Sequence, residues 1–330
     1  MNPGDGSDFY KIYERERKVV EKKLLNSVKS RKPFSLYKPA YYILQSGGKR
    51  LRPLLVLFSA HAAGGKFSDA YNAAAAVELL HNFTLVHDDI MDNAEKRRGR
   101  LTVHKKYDTN SAILAGDSLL SVAYESLLKD CNGNSKKILN SFTQGLVEVC
   151  EGQGLDKEFE TKINVTLKEY ILMISKKTAA LSEMCCKIGG LLVGATAAKV
   201  NALAGYGRNI GIAFQIQDDL LDVIGDEDMF GKMIGSDLIE GKKTYLFIKA
   251  FQKAKGRDKD HLYKLIKDKG IKKDKVKVFK DIYSKLGVLD DARKDILRFS
   301  EKALVSIKNI EKDKQKFFEW LTESLIERNK

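Results

Sequence analysis

Asp88-Asp89-Ile90-Met91-Asp92 and Asp218-Asp219-Leu220-Leu221-Asp222 share the pattern D-D-x-x-D and stand 130 residues apart. On a helix, the first and last aspartates of each cluster are four positions apart and share one face. Carboxylates crowded into apolar stretches repel one another unless positive charge sits between them. Hard divalent cations, Mg2+ above all, suit such oxygen donors and bridge readily to substrate phosphates. The neighbours extend the pattern. His81, Leu85, Asp88 and Asp92 fall at i, i+4, i+7 and i+11, while Gln215, Asp218 or Asp219, and Asp222 fall at i, i+3 or i+4, and i+7. Each helix thus carries a polar stripe between apolar faces, and two such helices facing each other would line a metal-holding cavity in a bundle core. One stripe alone reads equally well as a solvated surface; two in the same register do not.

Phosphate also needs donors. Gly47-Gly48-Lys49-Arg50-Leu51-Arg52-Pro53 places flexible backbone and three cations where a helix begins, and helix N-termini attract anions. Arg97-Arg98-Gly99 follows Asp92 on an expected loop, and guanidinium forks bind phosphate oxygens in pairs. Lys177-Thr178, Lys232 and Lys242 are further candidates. Taken singly, each of these cations is an ordinary solvated charge. No Ser-His-Asp or Cys-His arrangement points to a protein nucleophile.

The order G-G-K-R-x-R-P, H-x(6)-D-D-x-x-D, R-R-G, K-T, Q-x-x-D-D-x-x-D, G-K, G-K-x-T over residues 47–244 resembles the trans-isoprenyl diphosphate synthases, the polyprenyl synthetases. The resemblance implies condensation of an allylic diphosphate (dimethylallyl, geranyl or farnesyl) with isopentenyl diphosphate. It implies that Asp88, Asp92 and Asp218 hold about three Mg2+ ions on the allylic diphosphate, with Asp89, Asp219 and Asp222 completing or supporting those shells. Arg97, Lys177, Lys232 and Lys242 would grip the same diphosphate. Lys49, Arg52, His81 and Arg98 would bind isopentenyl diphosphate. Thr178 and Gln215 resemble the pair that steadies the first carbon of the allylic cation. Gln153 and Asp156, in Glu151-Gly152-Gln153-Gly154-Leu155-Asp156, resemble a secondary family motif, and His87 is left structural.

Product length in such enzymes follows from what blocks an apolar shaft below the first cluster. Phe83 stands five residues before Asp88, about 7.5 Å along a helix, and Thr84 stands four before. An aromatic followed by a smaller residue resembles the archaeal short-chain geranylgeranyl diphosphate synthases, implying a C20 product, with C15 and C25 as alternatives. One departure is that Tyr245, not proline, follows Lys242-Lys243-Thr244. A terpene cyclase, a silent partner subunit and a nucleic-acid binder are other readings. Two complete aspartate motifs and the Gly-Gly-Lys-Arg segment argue against the first two.

These residues need helices to position them. The 330 residues carry only four prolines, none after Pro53, and no alternating strand pattern stands out. The expectation is all-α: a single large helical bundle of the isoprenoid-synthase type, one domain over 1–330, around a central cavity. Helices are expected over 8–29, 40–45, from Arg50–Pro53 to Ala63, from an N-cap at Ser68 through the first cluster, and over 111–130, 135–153, 167–192, 199–224 and 242–254. Residues 94–100 read as a loop, and Arg31–Pro39 as a break. Net charge is +14, and residues 251–330 hold 23 Lys and Arg against 14 Asp and Glu. This lysine-rich tail from about 255 reads as solvated helix faces rather than a nucleic-acid surface. No apolar run reaches the roughly 20 residues that span a bilayer. The N-terminus carries no signal pattern, and Cys131, Cys150, Cys185 and Cys186 read as reduced thiols. A cytoplasmic enzyme, homodimeric by the resemblance, is expected.

Overall fold

A computed structural model describes residues 3–131, 133–225 and 234–327. Those residues are almost wholly helical; the one sheet among them has two strands. The contacts group into two compact units. The first holds Met1–Phe142, Met184–Ala204 and Asn309–Trp320; the second holds Thr143–Glu183, Gly205–Lys308 and Leu321–Lys330.

The first unit opens with α1 (Pro3–Lys29), α2 (Phe34–Leu44) and α3 (Leu51–Ala62). The expected break through Pro39 is corrected: α2 already runs from Phe34 with Pro39 buried inside it. A proline forfeits one backbone bond, and here its ring joins the core instead. A short 3-10 turn (Phe67–Ala70) leads into α4 (Tyr71–Met91). Ser68 is not the cap; the Asp69 carboxylate accepts the Lys66 N–H at 2.8 Å. Ala73–Ala76, Val77, Leu79 and Leu80 of α4 are buried. They pack along α6 (Thr109–Leu128), whose Ala112, Ala115, Gly116 and Leu119 are equally small or apolar and buried. Alanines at both surfaces let the two axes come close.

Between them, residues 94–102 are not a plain loop. β1 (Lys96–Arg97) pairs antiparallel with β2 (Arg100–Leu101) around Arg98 (φ 51°) and Gly99 (φ 75°). Two successive left-handed residues make the tight hairpin turn whose twist suits paired strands. The short α5 (Val103–Lys106) follows. The unit also takes in residues 309–320, where the Phe317 ring stacks on Phe58 and Trp320 lies against Tyr13.

In the second unit the working elements are α7 (Ser135–Thr161), α8 (Leu167–Ile174), a π turn (Ser175–Ala179), α9 (Ala180–Leu192) and α10 (Ala197–Ile224). α7, α9 and α10 each pass from one unit into the other. α7 continues past its expected end at 153, through Gly152 and Gly154. α11 (Ser236–Ile239), α12 (Tyr245–Lys253), α13 (Gly256–Lys267), α14 (Val276–Lys285), α15 (Val288–Ser306) and α16 (Lys312–Ile326) complete the chain. The largest wholly buried side chains here are Tyr170, Tyr206, Tyr245 and Tyr283. Burying a phenol favours a partner for its hydroxyl, and three of these four have one. Tyr170 donates to Asp219 at 2.5 Å, Tyr245 donates to Asp295 at 2.6 Å, and Tyr206 pairs with Thr322 at 3.1 Å. No described helix is long and apolar enough to cross a membrane.

Candidate active site

The first aspartate cluster closes α4. Asp92 is the C-cap residue, its N–H bonded to the Asp88 carbonyl at 2.9 Å. A helix C-terminus carries partial negative charge, and adding carboxylates there makes a pole that favours cations. The three aspartates are not equivalent. Asp88 is half-buried and Asp92 exposed, whereas Asp89 is 1% exposed. Arg97, delivered by β1, donates to Asp89 Oδ1 from Nε at 2.8 Å and from Nη2 at 2.7 Å. Burial pushes the Asp89 carboxyl above its ordinary range, against the pull of Arg97. Its Oδ2 is buried without a hydrogen-bond partner. Arg97 therefore ties the hairpin to the cluster in this state.

The glycine-rich segment before α3 is built around Arg98. Gly47 (φ 68°) and Gly48 (φ 137°) adopt conformations that disfavour side chains. A Cβ on Gly48 would lie 2.7 Å from Arg98 Nη1, so glycine lets this guanidinium rest on the loop and donate to the Gly47 carbonyl and to Ser46 Oγ at 3.4 Å. Tyr13 donates to the Lys49 carbonyl from α1, while the Lys49 side chain is exposed.

Arg50, one of the three cations of the sequence motif, is turned inward. It is 3% exposed, pairs with Glu78 of α4 at 2.7 Å and donates to the Leu44 carbonyl at 2.8 Å. Its backbone is left-handed (φ 51°). Arg52 donates to His81 Nε2 at 3.2 Å. Burial, followed by the charges of Arg52, Arg98, Arg97 and Arg50, holds His81 well below its ordinary value. The neutral ring accepts at Nε2, so its proton resides on Nδ1.

Phe83 lies half-buried on α4, edge-on to His87 at 4.6 Å between ring centroids. Behind His87 stands Gly116 of α6, where a Cβ would come 2.7 Å from His87 Nε2. Thr84 turns its hydroxyl back to the His81 carbonyl at 2.8 Å.

The second cluster lies in the last turns of α10. Its members also divide. Asp218 is half-exposed; Asp219 and Asp222 are buried. Asp219 accepts from Tyr170 Oη at 2.5 Å, from the Tyr245 N–H at 2.9 Å and from Gln215 Nε2 at 3.0 Å. Asp222 accepts from Ser236 Oγ at 2.6 Å and from the Asp237 N–H at 3.2 Å. Burial pushes Asp219 up to about 6, and burial with the nearby Asp222 and Asp219 pushes Asp237 up to about 8. Burial is the larger cause at both, and the neighbouring carboxylates add to it.

Lys177 and Thr178 sit on the π turn. Lys177 Nζ pairs with Asp156 Oδ2 of α7 at 2.5 Å. Thr178 Oγ1 donates to Gln215 Oε1 at 2.8 Å, bringing together residues 37 apart. Because Gln215 Nε2 is committed to Asp219, its carbonyl oxygen is the atom presented to Thr178. Lys242 pairs with Glu240 at 2.6 Å and lies 3.9 Å from Asp237. The next residue, Lys243, is buried and caps the end of α7 through the Phe159 carbonyl at 2.6 Å. Lys232 lies outside the described residues.

In each unit taken by itself the less buried carboxylates near a helix C-terminus, Asp88 and Asp92 in the first and Asp218 in the second, are hard oxygen donors of the kind that suits Mg2+. Among the described residues no three His, Cys, Asp or Glu side chains form a ready chelate. Sequence reasoning read Arg50 as one of three cations available to phosphate, and gave no role to Tyr170 or Tyr245. The buried Tyr170 and Tyr245 announce themselves only through the Asp219 carboxylate they satisfy.

Residues 34–286 match the polyprenyl synthetase family model. The chain is 48% identical over 224 residues to geranylgeranyl diphosphate synthase of Methanosarcina mazei, covering 67% of this chain and 69% of that one. It is 42% identical over 303 residues to geranylgeranyl diphosphate synthase of Saccharolobus solfataricus, covering 90% and 91%. The crystal structure of geranylgeranyl pyrophosphate synthetase from Pyrococcus horikoshii superposes with a TM-score of 0.89 at 38% identity, over 97% of this chain and 98% of that one. A match this broad, in sequence and in backbone alike, leaves one assignment: the chain belongs to the polyprenyl synthetase family.

Proposed function

We propose that the protein condenses allylic diphosphates with isopentenyl diphosphate to give geranylgeranyl diphosphate, acting in the cytoplasm as a homodimer. The observation that carries this reading is the Thr178–Gln215 pair, fastened through Asp219 to the second aspartate motif. Two neutral oxygens beside a developing carbocation stabilise it without trapping it. The relatives named geranylgeranyl diphosphate synthase support the C20 product.

Asp88, Asp92 and Asp218 would hold Mg2+, which neutralises charge on the departing diphosphate when bound. Arg97, Lys177 and Lys242 add cationic donors to the same group, and Asp89, Asp219 and Asp222 hold the frame. Lys49, Arg52 and Arg98 bind isopentenyl diphosphate, with neutral His81 orienting Arg52. The allylic carbon–oxygen bond breaks with its electron pair going to the diphosphate. The isopentenyl double bond attacks the cation, and the surplus proton leaves to the released diphosphate. Phe83, with the smaller Thr84 after it, floors the shaft into which the product grows.

Incubation with farnesyl and isopentenyl diphosphates should release diphosphate only with Mg2+ and give a C20 product on chromatography. Asp88→Ala or Asp218→Ala should each lower turnover by roughly a hundredfold or more, and Phe83→Ala should lengthen the product. Full turnover in both aspartate variants would remove the metal assignment. An unaltered product in Phe83→Ala would remove the floor. A C25 product from the wild-type chain would instead align it with relatives such as geranylfarnesyl diphosphate synthase of Natronomonas pharaonis, 40% identical over 257 residues.

A further inference from the structure

Lys177 and Thr178 owe their directions to a wide turn. Ser175–Ala179 is π-helical within a run that is otherwise α-helical from Leu167 to Leu192. Such a turn is rare and persists only where its surroundings hold it. Backbone contacts hold it on two sides. From α10, a Cβ on Gly211 would lie 2.7 Å from Ala179 Cα, and one on Gly207 would lie 2.5 Å from the Ser182 carbonyl oxygen. Between these glycines Arg208 pairs with Glu183, with Glu148 at 2.9 Å and, at 3.5 Å, with the Ser175 carbonyl that opens the turn. From α7, Gly152 meets the turn directly. A Cβ there would overlap Lys177 N, at 2.5 Å from Lys177 Cα and 2.7 Å from the Lys176 carbonyl carbon. One helical turn beyond Gly152, on the same face, is Asp156, the partner of Lys177 Nζ.

We propose that Gly152 is a positioning residue for diphosphate binding: its missing side chain seats α7 on the π turn and so aims the Lys177 ammonium. The proposal rests on the reading of Lys177 as a diphosphate ligand. Gly154, two residues on in the same helix, supplies the contrast, because a Cβ there meets nothing within 4 Å. Any methyl at Gly152 must displace backbone rather than a flexible side-chain tip. The displaced atoms belong to the residue that carries the ammonium. A shift of about 1 Å in a binding group can cost about a hundredfold in rate.

The test is calorimetric titration of the full chain with inorganic pyrophosphate in excess Mg2+. Lys177→Ala should weaken binding about tenfold, Gly152→Ala should weaken it comparably, and the double variant should fall within about twofold of Lys177→Ala alone, since residues acting through one contact are not additive. Gly154→Ala should bind as the wild type does. Wild-type affinity in a folded Gly152→Ala protein, or additive losses in the double variant, overturns the proposal while leaving the role of Lys177 intact. Wild-type affinity in Lys177→Ala overturns that role and the proposal with it. Should Gly152→Ala not fold, Asp156→Asn is measured with and without Lys177. A shift of about threefold or more that vanishes in the Lys177→Ala background supports the aiming of Lys177 by α7, and an equal shift in both backgrounds overturns it.

Discussion

His81 shows how a single side chain is set by its neighbours. Folded, it stays neutral well below its ordinary value, through burial and the surrounding arginines. The unfolded chain takes up a proton as pH falls through about 6.5. The unfolded state then binds more protons than the folded one, so this residue contributes stability above that pH, lost as pH falls. The slope approaches about 1.4 kcal/mol per pH unit. His81→Gln keeps an acceptor for Arg52 and cannot titrate. Urea unfolding at pH 7.5 and at pH 5.5 should therefore differ less in the variant than in the wild type. An identical difference in the two proteins would show that His81 does not carry this dependence. At this scale the residue types were readable from sequence, but their division of labour was not. Asp88 and Asp89 are chemically alike and adjacent; burial and the arrival of Arg97 from the hairpin set Asp89 apart.

Elements decide which cations are available. In sequence, Lys49, Arg50 and Arg52 form one basic run, and the left-handed backbone at Arg50 splits it, turning Arg50 into the core against Glu78. Both side chains of that pair are almost wholly removed from solvent. Removing Glu78 leaves Arg50 only the longer pair with Glu21 at 3.5 Å, so Glu78→Ala should cost about 3 kcal/mol in urea unfolding. A loss below about 1 kcal/mol would show that the pin between α4 and the start of α3 is not structural. The helices themselves were legible from apolar spacing and the dearth of proline. The hairpin at 96–101 was not, because its turn is Arg98-Gly99 rather than the Asn-Gly or Asp-Gly pair that signals such turns. The π turn was equally hidden: nothing in Ser175-Lys176-Lys177-Thr178-Ala179 demands five residues per hydrogen-bonded ring, and glycines on two other helices permit it. The missing proline after Thr244 also finds its reason here. Tyr245 must keep its N–H to bond Asp219, which proline lacks.

For the molecule as a whole, binding and folding are one ledger. A ligand that binds only the folded chain stabilises it by about 2.7 kcal/mol at a hundredfold excess over its dissociation constant. Pyrophosphate with Mg2+ should therefore raise the melting temperature of the wild type, while Asp88→Ala should melt at the same temperature with and without them. An equal rise in that variant would place the ligand elsewhere. Lys264, Lys267, Lys272, Lys273 and Lys277 of the tail are exposed, as solvated helix faces require.

Arg97 and Lys177 each already hold a carboxylate, Asp89 and Asp156. On the proposed reading, capture of an anion by either residue is an exchange of counter-ions rather than the filling of a bare positive hole. Each guanidinium or ammonium surrendered to substrate leaves an aspartate wanting a new partner, and an incoming divalent ion is suited to take it. Metal and diphosphate should then help each other bind, and added simple salt should weaken binding less than the number of cations in the site suggests.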